Sequence, residues 1–600
     1  MAGLVRRAGL ETLSLQLYAR SGGLRLIPPG RILPVLRAVH RYGILGAATV
    51  ITAARDPNGV ALIDERGALS FGDLDNRTNA LANEWRRRGL GPGARVAILA
   101  ANHRGFLEAV YGAAKSGAGV VLLNTGFGSA QLADMVAREG VDLLVYDDEY
   151  SAIVADVHPR LGRFRAWTQT PGPDTLDALI KHGDTAPPPS SGGRPKIVIL
   201  TSGTTGVPKG AARSEPYSLI PVGGLLGKVP FHGREVTECC VPLFHSLGFS
   251  HAMMAMVLGS TLVLHREFDA EQTLASVAAH RASAMIVVPI MLRRILDLGP
   301  AALAQRDLSG LRIVFVGGSQ LGAALATRAL EALGPVVYNM YGSTEVAYAS
   351  IATPGDLTVE PGCVGGVVPG SVVKVFTEDR HEAPPGVPGR IFVGNVLAFE
   401  GYTGGGTKES IQDLMATGDV GHFDPAGRLF IDGRDDEMIV SGGENVFPGE
   451  VEEALAHHPD IVDVAVVGVT DADAAVAVLH HAPKSGGDEN DYGSHQQQQP
   501  SHSGVHAKHH DDDEAQRENV AEDGHQARGP EFVQSVHVGG DARDQAADGI
   551  AIVKRNVEAL EVLHQLPAQV EHGELAGTLH QVGFGEFAQE SDHDGREIQG

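Results

Sequence analysis

Short β-branched runs alternate with longer helical stretches through most of the first 360 residues. ARVAILAANH reads as a strand and turn, RGFLEAVYGAAKSG as a helix and AGVVLLN as a second strand. EGVDLLVYDD and KIVILTSG repeat the theme, and STLVLHR, SAMIVVPIMLRRIL, LRIVFVGGS and PVVYNMYGSTE form a second series. Strands alternating with helices predict βαβ units and mostly parallel sheets. The Pro/Gly/Ser segment HGDTAPPPSSGGRPK predicts a loop feeding the strand that starts at Lys196.

After about Pro361 the pattern shifts to short strands and turns, as in GGVVPGSVVKVFTED, GRIFVGN and GRLFIDGR, which predicts a small β-rich subdomain. MIVSGGENVFPGEVEEALAHHPDIVDVAVVGV then predicts a hairpin, a helix opening at Pro448 and a strand. From about Asp473 the periodicity is lost. HHAPKSGGDENDYGSHQQQQPSHSGVHAKHHDDDEAQREN is rich in His, Asp, Gln and Ser, and predicts a disordered tail rather than a core or a regular metal site.

The expected organisation is an N-terminal helical extension over 1–52, an α/β domain over 53–433, a partial α+β domain over 434–472, and a tail over 473–600.

Composition narrows the picture. The chain of 600 residues has a formal net charge of −25, which argues against nucleic acid as the main partner. About two-thirds of that deficit falls in the last ~130 residues, so the asymmetry belongs to the tail. Three cysteines, two adjacent, form no disulfide framework and point to a reducing, cytoplasmic setting.

The apolar run YGILGAATVITAA is too short to span a bilayer. The preceding GLRLIPPGRILPVLRAVHRYG mixes leucines with Arg25, Arg31, Arg37 and Arg41. Two readings stand for it, a helix on a membrane surface and a helix packed on the main domain.

Candidate chemistry centres on LTSGTTGVPKG, Leu200 to Gly210. The Walker pattern G-x-x-x-x-G-K-[ST] fails at two positions, since Pro208 stands for the second glycine and Gly210 for the final hydroxyl. Its glycines, hydroxyls and Lys209 still suit an anion cradle.

Further motifs follow in order: VPLFHSLGF, VGGSQL, YNMYGSTE, ATGD and IDGRDDEMIVSGGENVFPGEVEEAL. Together they resemble the adenylate-forming superfamily, of the acyl-CoA synthetase type, from about Ala53 to about Thr470.

The resemblance implies a site residue by residue. Thr201, Ser202, Gly203, Thr204, Thr205, Gly206 and Lys209 would hold the outer phosphates of ATP. Thr344 would bind the α-phosphate, and Glu345 would bind Mg²⁺. Lys209, Thr344 and Glu345 would form the catalytic set. Gly318, Tyr341 and Gly342 would frame the adenine, while Asp419 and Arg434 would hold the ribose. His245 would border the acyl pocket. Asp436 would be the hinge of a rotating C-terminal domain, and Gly442 and Gly443 would let coenzyme A (CoA) pass.

The implied activity is that of an acid–thiol ligase, a long- or medium-chain fatty-acid–CoA ligase using ATP, Mg²⁺ and CoA. A ligase loading a carrier protein and a non-catalytic nucleotide- or acyl-binding remnant are the rivals. The superfamily closes its C-terminal domain with a loop of the type LPxxxxGK. QLPAQVEHGELAG is the nearest stretch here, and Glu574 follows Gly573 where lysine is needed. A shifted reading frame from about Asp473 accounts for that loss, and weak adenylation follows from it.

Overall fold

The computed structural model describes residues 2–23, 27–190, 192, 195–201 and 209–435, together with the strands Ile439–Ser441, Glu444–Val446, Val464–Val469 and Val476–His481. Two compact units divide between Asp435 and Asp436.

The first unit is built on two large sheets. In one, the strands run in the order Arg163–Trp167, Leu143–Asp147, Arg95–Leu99, Gly119–Leu122, Ile197–Thr201, Lys209–Arg213, all parallel until the last. The other has nine strands, parallel from Val337–Tyr341 through Ile313–Gly317, Ala284–Val287, Val236–Cys239 and Thr261–Leu264 to Val60–Asp64, with antiparallel strands at both edges.

Alternation along each strand sends neighbouring side chains to opposite faces. Val96 and Ile98 join a central core shared with Leu62, Ile313 and Phe315 of the second sheet. Ala97 and Leu99 pack instead against Leu132 and Met135 of the helix Ser129–Arg138. On the far side of the nine-stranded sheet, Val314 and Val316 meet Leu325 and Ala326 of the helix Ala323–Leu333. Helices therefore lie outside both sheets and between them.

The helix Arg104–Ser116 is buried along its whole length, as a helix between two sheets must be. Its charged residues are paired: Arg104 with Asp64, Glu108 with Arg77, and Lys115 with Asp75, Thr78 and Asn79. Unpaired, each would impose a large desolvation cost.

The expected β-rich subdomain is an antiparallel sheet. Val372–Phe376 pairs Gly389–Gly394, which pairs Leu414–Phe423, and the latter also pairs Ser410–Ile411 and Leu429–Arg434.

The N-terminal extension is helical. Ala2–Arg20 is one helix, and Pro29–Arg55 is a pair merged across a kink at Gly43, whose φ is 73°. The Glu215 carboxylate accepts hydrogen bonds from the N–H groups of Ile44 (2.6 Å) and Leu45 (3.0 Å), the orphan donors that open the second half. A carboxylate there also complements the positive end of the helix dipole.

In the second unit Ile439–Ser441 pairs antiparallel with Glu444–Val446, as the hairpin reading expects. The helix expected at Pro448 lies outside the described residues. Val464–Val469 pairs with Val476–His481 from Val464↔His481 to Val469↔Val476, so a strand lies beyond Asp473 where the tail was expected to begin. VAVL is an apolar, β-branched run, and its pairing prevails over the polar texture that follows.

Glu215→Ala should cost about 1–2 kcal/mol by stranding two helix-opening donors, and Glu215→Gln should retain part of the effect. Chemical denaturation of the purified variants measures this.

Candidate functional site

The site gathers where the strand Val337–Tyr341 ends. That strand pairs in parallel with Ile313–Gly317, setting Gly317 opposite Met340 and so bringing Gly318 beside Tyr341. Gly318 has a φ of +95°, which favours glycine, and a side chain there would crowd Val288 at 3.3 Å. Leu247 stands 4.0 Å from the same point. A Cβ on Gly342 would sit 2.0 Å from the Ala347 carbonyl oxygen, so only glycine lets the turn 342–347 close on itself.

Two buried carboxylates define the polar centre. Asp419, on Leu414–Phe423, accepts a 2.5 Å hydrogen bond from the Tyr341 hydroxyl. Strand pairing sets Asp419 opposite Arg434, and the Arg434 Nε lies 3.5 Å from the Asp419 Oδ1. Burial, then the adjacent Asp419 charge, hold the Tyr341 phenol well above its usual pKa, so it stays a donor.

Glu345 accepts from the Tyr402 hydroxyl at 2.8 Å and from the Ser343 hydroxyl at 2.9 Å. Lys209 Nζ stands 5.5 Å from the centre of the Tyr402 ring, within cation–π range. Lys209 and Thr201 are the two ends of the glycine-rich loop, paired across the hairpin Ile197–Thr201/Lys209–Arg213. Ser202, Gly203, Thr204, Thr205 and Gly206 lie outside the described residues, as do Asp436, Gly442 and Gly443.

Three residues of this centre were not singled out from sequence: Arg213, Ser343 and Tyr402. Arg213 donates to the Thr344 carbonyl, and among the described residues its buried Nε has no hydrogen-bond partner. Burial pushes its pKa down to about 10, against the opposing pull of the Glu345 charge, and it remains cationic at neutral pH. The one signal was a second cation, after Lys209, ending the strand KGAAR. Tyr402 sits in GYTGGG, a turn in which Gly401, Gly405 and Gly406 all take positive φ.

His245 precedes the helix Ser246–Leu258 and packs its ring 4.5 Å from that of Phe244. It is solvent-exposed, yet desolvation by surrounding protein lowers its pKa. Two residues on, Leu247 reaches towards Gly318. One turn further, His251 donates from Nδ1 to the Leu247 carbonyl at 2.8 Å and packs against Phe315.

The structure thus connects Lys209, Thr344 and Glu345 through Arg213 and Tyr402. It connects Tyr341, Asp419 and Arg434 directly. Such a centre can hold an anion beside a cation and can accept hydrogen bonds from hydroxyl groups.

A family profile described as AMP-binding enzyme matches residues 51–403. The chain belongs to the AMP-binding enzyme family. As an AMP-binding enzyme it is 32% identical over 441 residues to a feruloyl-CoA synthase of Amycolatopsis, covering 71% of this chain and 86% of that protein. It is 28% identical over 445 residues to a fatty acid–acyl-carrier-protein ligase of Streptomyces coeruleorubidus, covering 70% and 83%. The crystal structure of ATP-bound MatB from Rhodopseudomonas palustris matches with a TM-score of 0.64 at 25% identity, over 74% of this chain and 90% of that one. The adenylate-forming fold and an acid–thiol ligase type therefore hold for this AMP-binding enzyme.

Burial pushes the pKa of His251 down to about 4, against about 6.5 when unfolded. As pH falls the unfolded chain takes up that proton first, so stability present above about pH 6.5 is lost towards pH 4. His251→Leu should flatten this dependence. Denaturation at pH 7 and pH 5 should show wild type losing about 2 kcal/mol more than the variant.

Proposed function

We propose that this AMP-binding enzyme activates an apolar carboxylic acid with ATP, forming an acyl-adenylate and then an acyl-CoA thioester. The observation that carries the proposal is the tight turn after Tyr341, which joins the Tyr341–Asp419–Arg434 contacts to the Glu345–Tyr402–Lys209 contacts.

A carboxylate attacking the α-phosphate brings two anions together, so positioning and charge neutralisation dominate the barrier. The Asp419 carboxylate accepts the ribose hydroxyls while Tyr341 and Arg434 fix its orientation. Gly318 and Gly342 leave room for the adenine beside the Tyr341 ring. Lys209 and the loop from Thr201 to Gly206 hold the β- and γ-phosphates. Arg213 fixes the backbone of Thr344, whose hydroxyl bonds the α-phosphate. The hard carboxylate oxygens of Glu345 fit Mg²⁺, which supplies neutralisation of phosphate charge when bound.

The acyl group lies against His245 and Leu247. A fatty acid is the first candidate, since the helix Ser246–Leu258 supplies apolar residues that include three methionines. An aromatic acid is the second, favoured by the likeness to a feruloyl-CoA synthase. Asp436 serves as the hinge of the second half-reaction, with Gly442 and Gly443 along the CoA path. The sequence after Thr470 offers no LPxxxxGK loop, so adenylation by this chain is slow.

Calorimetric titration should detect ATP binding, weakened at least about tenfold in Asp419→Ala. ATP–pyrophosphate exchange across a panel of fatty and aromatic acids should be detectable but low, and thioester analysis with CoA or a carrier protein identifies the acceptor. Robust exchange would contradict the slow-adenylation reading, and absent ATP binding would contradict the proposal as a whole.

A further inference from the structure

We infer that the N-terminal helices dock this protein on an anionic lipid surface. Residues 1–55 contain eight arginines, no lysine and one acid, Glu11, in a chain whose net charge is −25. The Glu11 carboxylate is turned to the body of the protein, where it accepts the Leu219 N–H at 3.0 Å. Arg6, Arg7, Arg20, Arg31 and Arg37 are solvent-exposed.

Aliphatic side chains are exposed beside them. Eleven large hydrophobic residues are exposed among the described residues, and six lie within the first 36: Val5, Leu13, Leu15, Ile32, Leu33 and Leu36. Leu36 is 60% exposed and adjoins Arg37. Single exposed hydrophobics are ordinary, but this concentration in a short basic segment is not.

The opposite side of the helices is fixed. Tyr18, Val35, Ala38 and Tyr42 are buried, and the Tyr18 hydroxyl donates to the Val257 carbonyl at 2.8 Å. Arg31 bonds the carbonyl of Ala54 at 3.1 Å, clasping the two halves of Pro29–Arg55. Glu215 holds Ile44 and Leu45. The exposed arginines and aliphatics are thus presented from a rigid support rather than a loose arm.

Arginines beside exposed aliphatic side chains match a bilayer interface, where phosphates meet acyl chains. A second copy would set one arginine-rich face against another. The acidic stretch 482–530 of this chain could match the arginines, but it contains no leucine, isoleucine or phenylalanine to cover the apolar residues.

Co-sedimentation of the full chain with vesicles of phosphatidylcholine, with and without phosphatidylglycerol, tests the proposal. Binding should require phosphatidylglycerol and weaken as salt rises. The combined change Arg6→Gln, Arg7→Gln and Arg37→Gln should weaken it about a hundredfold. The combined change Ile32→Ser, Leu33→Ser and Leu36→Ser should weaken it about tenfold, with circular dichroism and ATP affinity unchanged. Failure to bind either vesicle, equal binding by wild type and both variants, or burial of this face in a dimer seen by light scattering without vesicle binding would overturn it.

Discussion

Two carboxylates kept almost out of water, Glu345 and Asp419, are the constraint on which the rest of the centre depends. A buried carboxylate is tolerated only where donors satisfy it. Here each is held by a tyrosine hydroxyl, Tyr402 for Glu345 and Tyr341 for Asp419. The donors come from different parts of the chain, so the nine-stranded sheet, the antiparallel sheet and the glycine turn after Phe399 must meet at one place. The parallel ladder between Ile313–Gly317 and Val337–Tyr341 fixes one side of that meeting. The antiparallel pairing of Leu414–Phe423 with Leu429–Arg434 fixes the other, by setting Arg434 opposite Asp419.

Much of the fold was legible because the hydrophobic period is strong. AGVVLLN, SAMIVVPIMLRRIL and LRIVFVGGS each contain a strand where the apolar run predicts one. A buried parallel strand needs apolar residues on both faces, and few loops imitate that pattern. The centre was legible where its residues sit in contiguous motifs, as in YNMYGSTE and ATGD. Arg213 and Tyr402 were not legible, because each acts through a partner distant in sequence. Arg213 meets Thr344 across 131 positions, and Tyr402 meets Glu345 across 57. No local period or turn rule reports such a contact. The strand Val476–His481 was missed for the opposite reason, since the polar residues after it masked a short apolar run.

The attachment of the N-terminal helices bears on the centre as well. Glu215, which opens the second half of Pro29–Arg55, lies two residues beyond the strand carrying Lys209 and Arg213. The hairpin that carries Lys209 is thus tied at its far end to the helical extension. Contacts of this kind let a change in one element alter the position of another without touching its ligand.

The most direct test of the central claim, that this centre joins a carboxylate to the α-phosphate of ATP, is the fate of the carboxylate oxygens. With excess enzyme in a single turnover, even slow chemistry yields measurable product. An acid labelled with oxygen-18 in its carboxylate should deliver one labelled oxygen to the phosphoryl group of AMP, seen by mass spectrometry. AMP without the label, or ADP as the nucleotide product, would contradict the account.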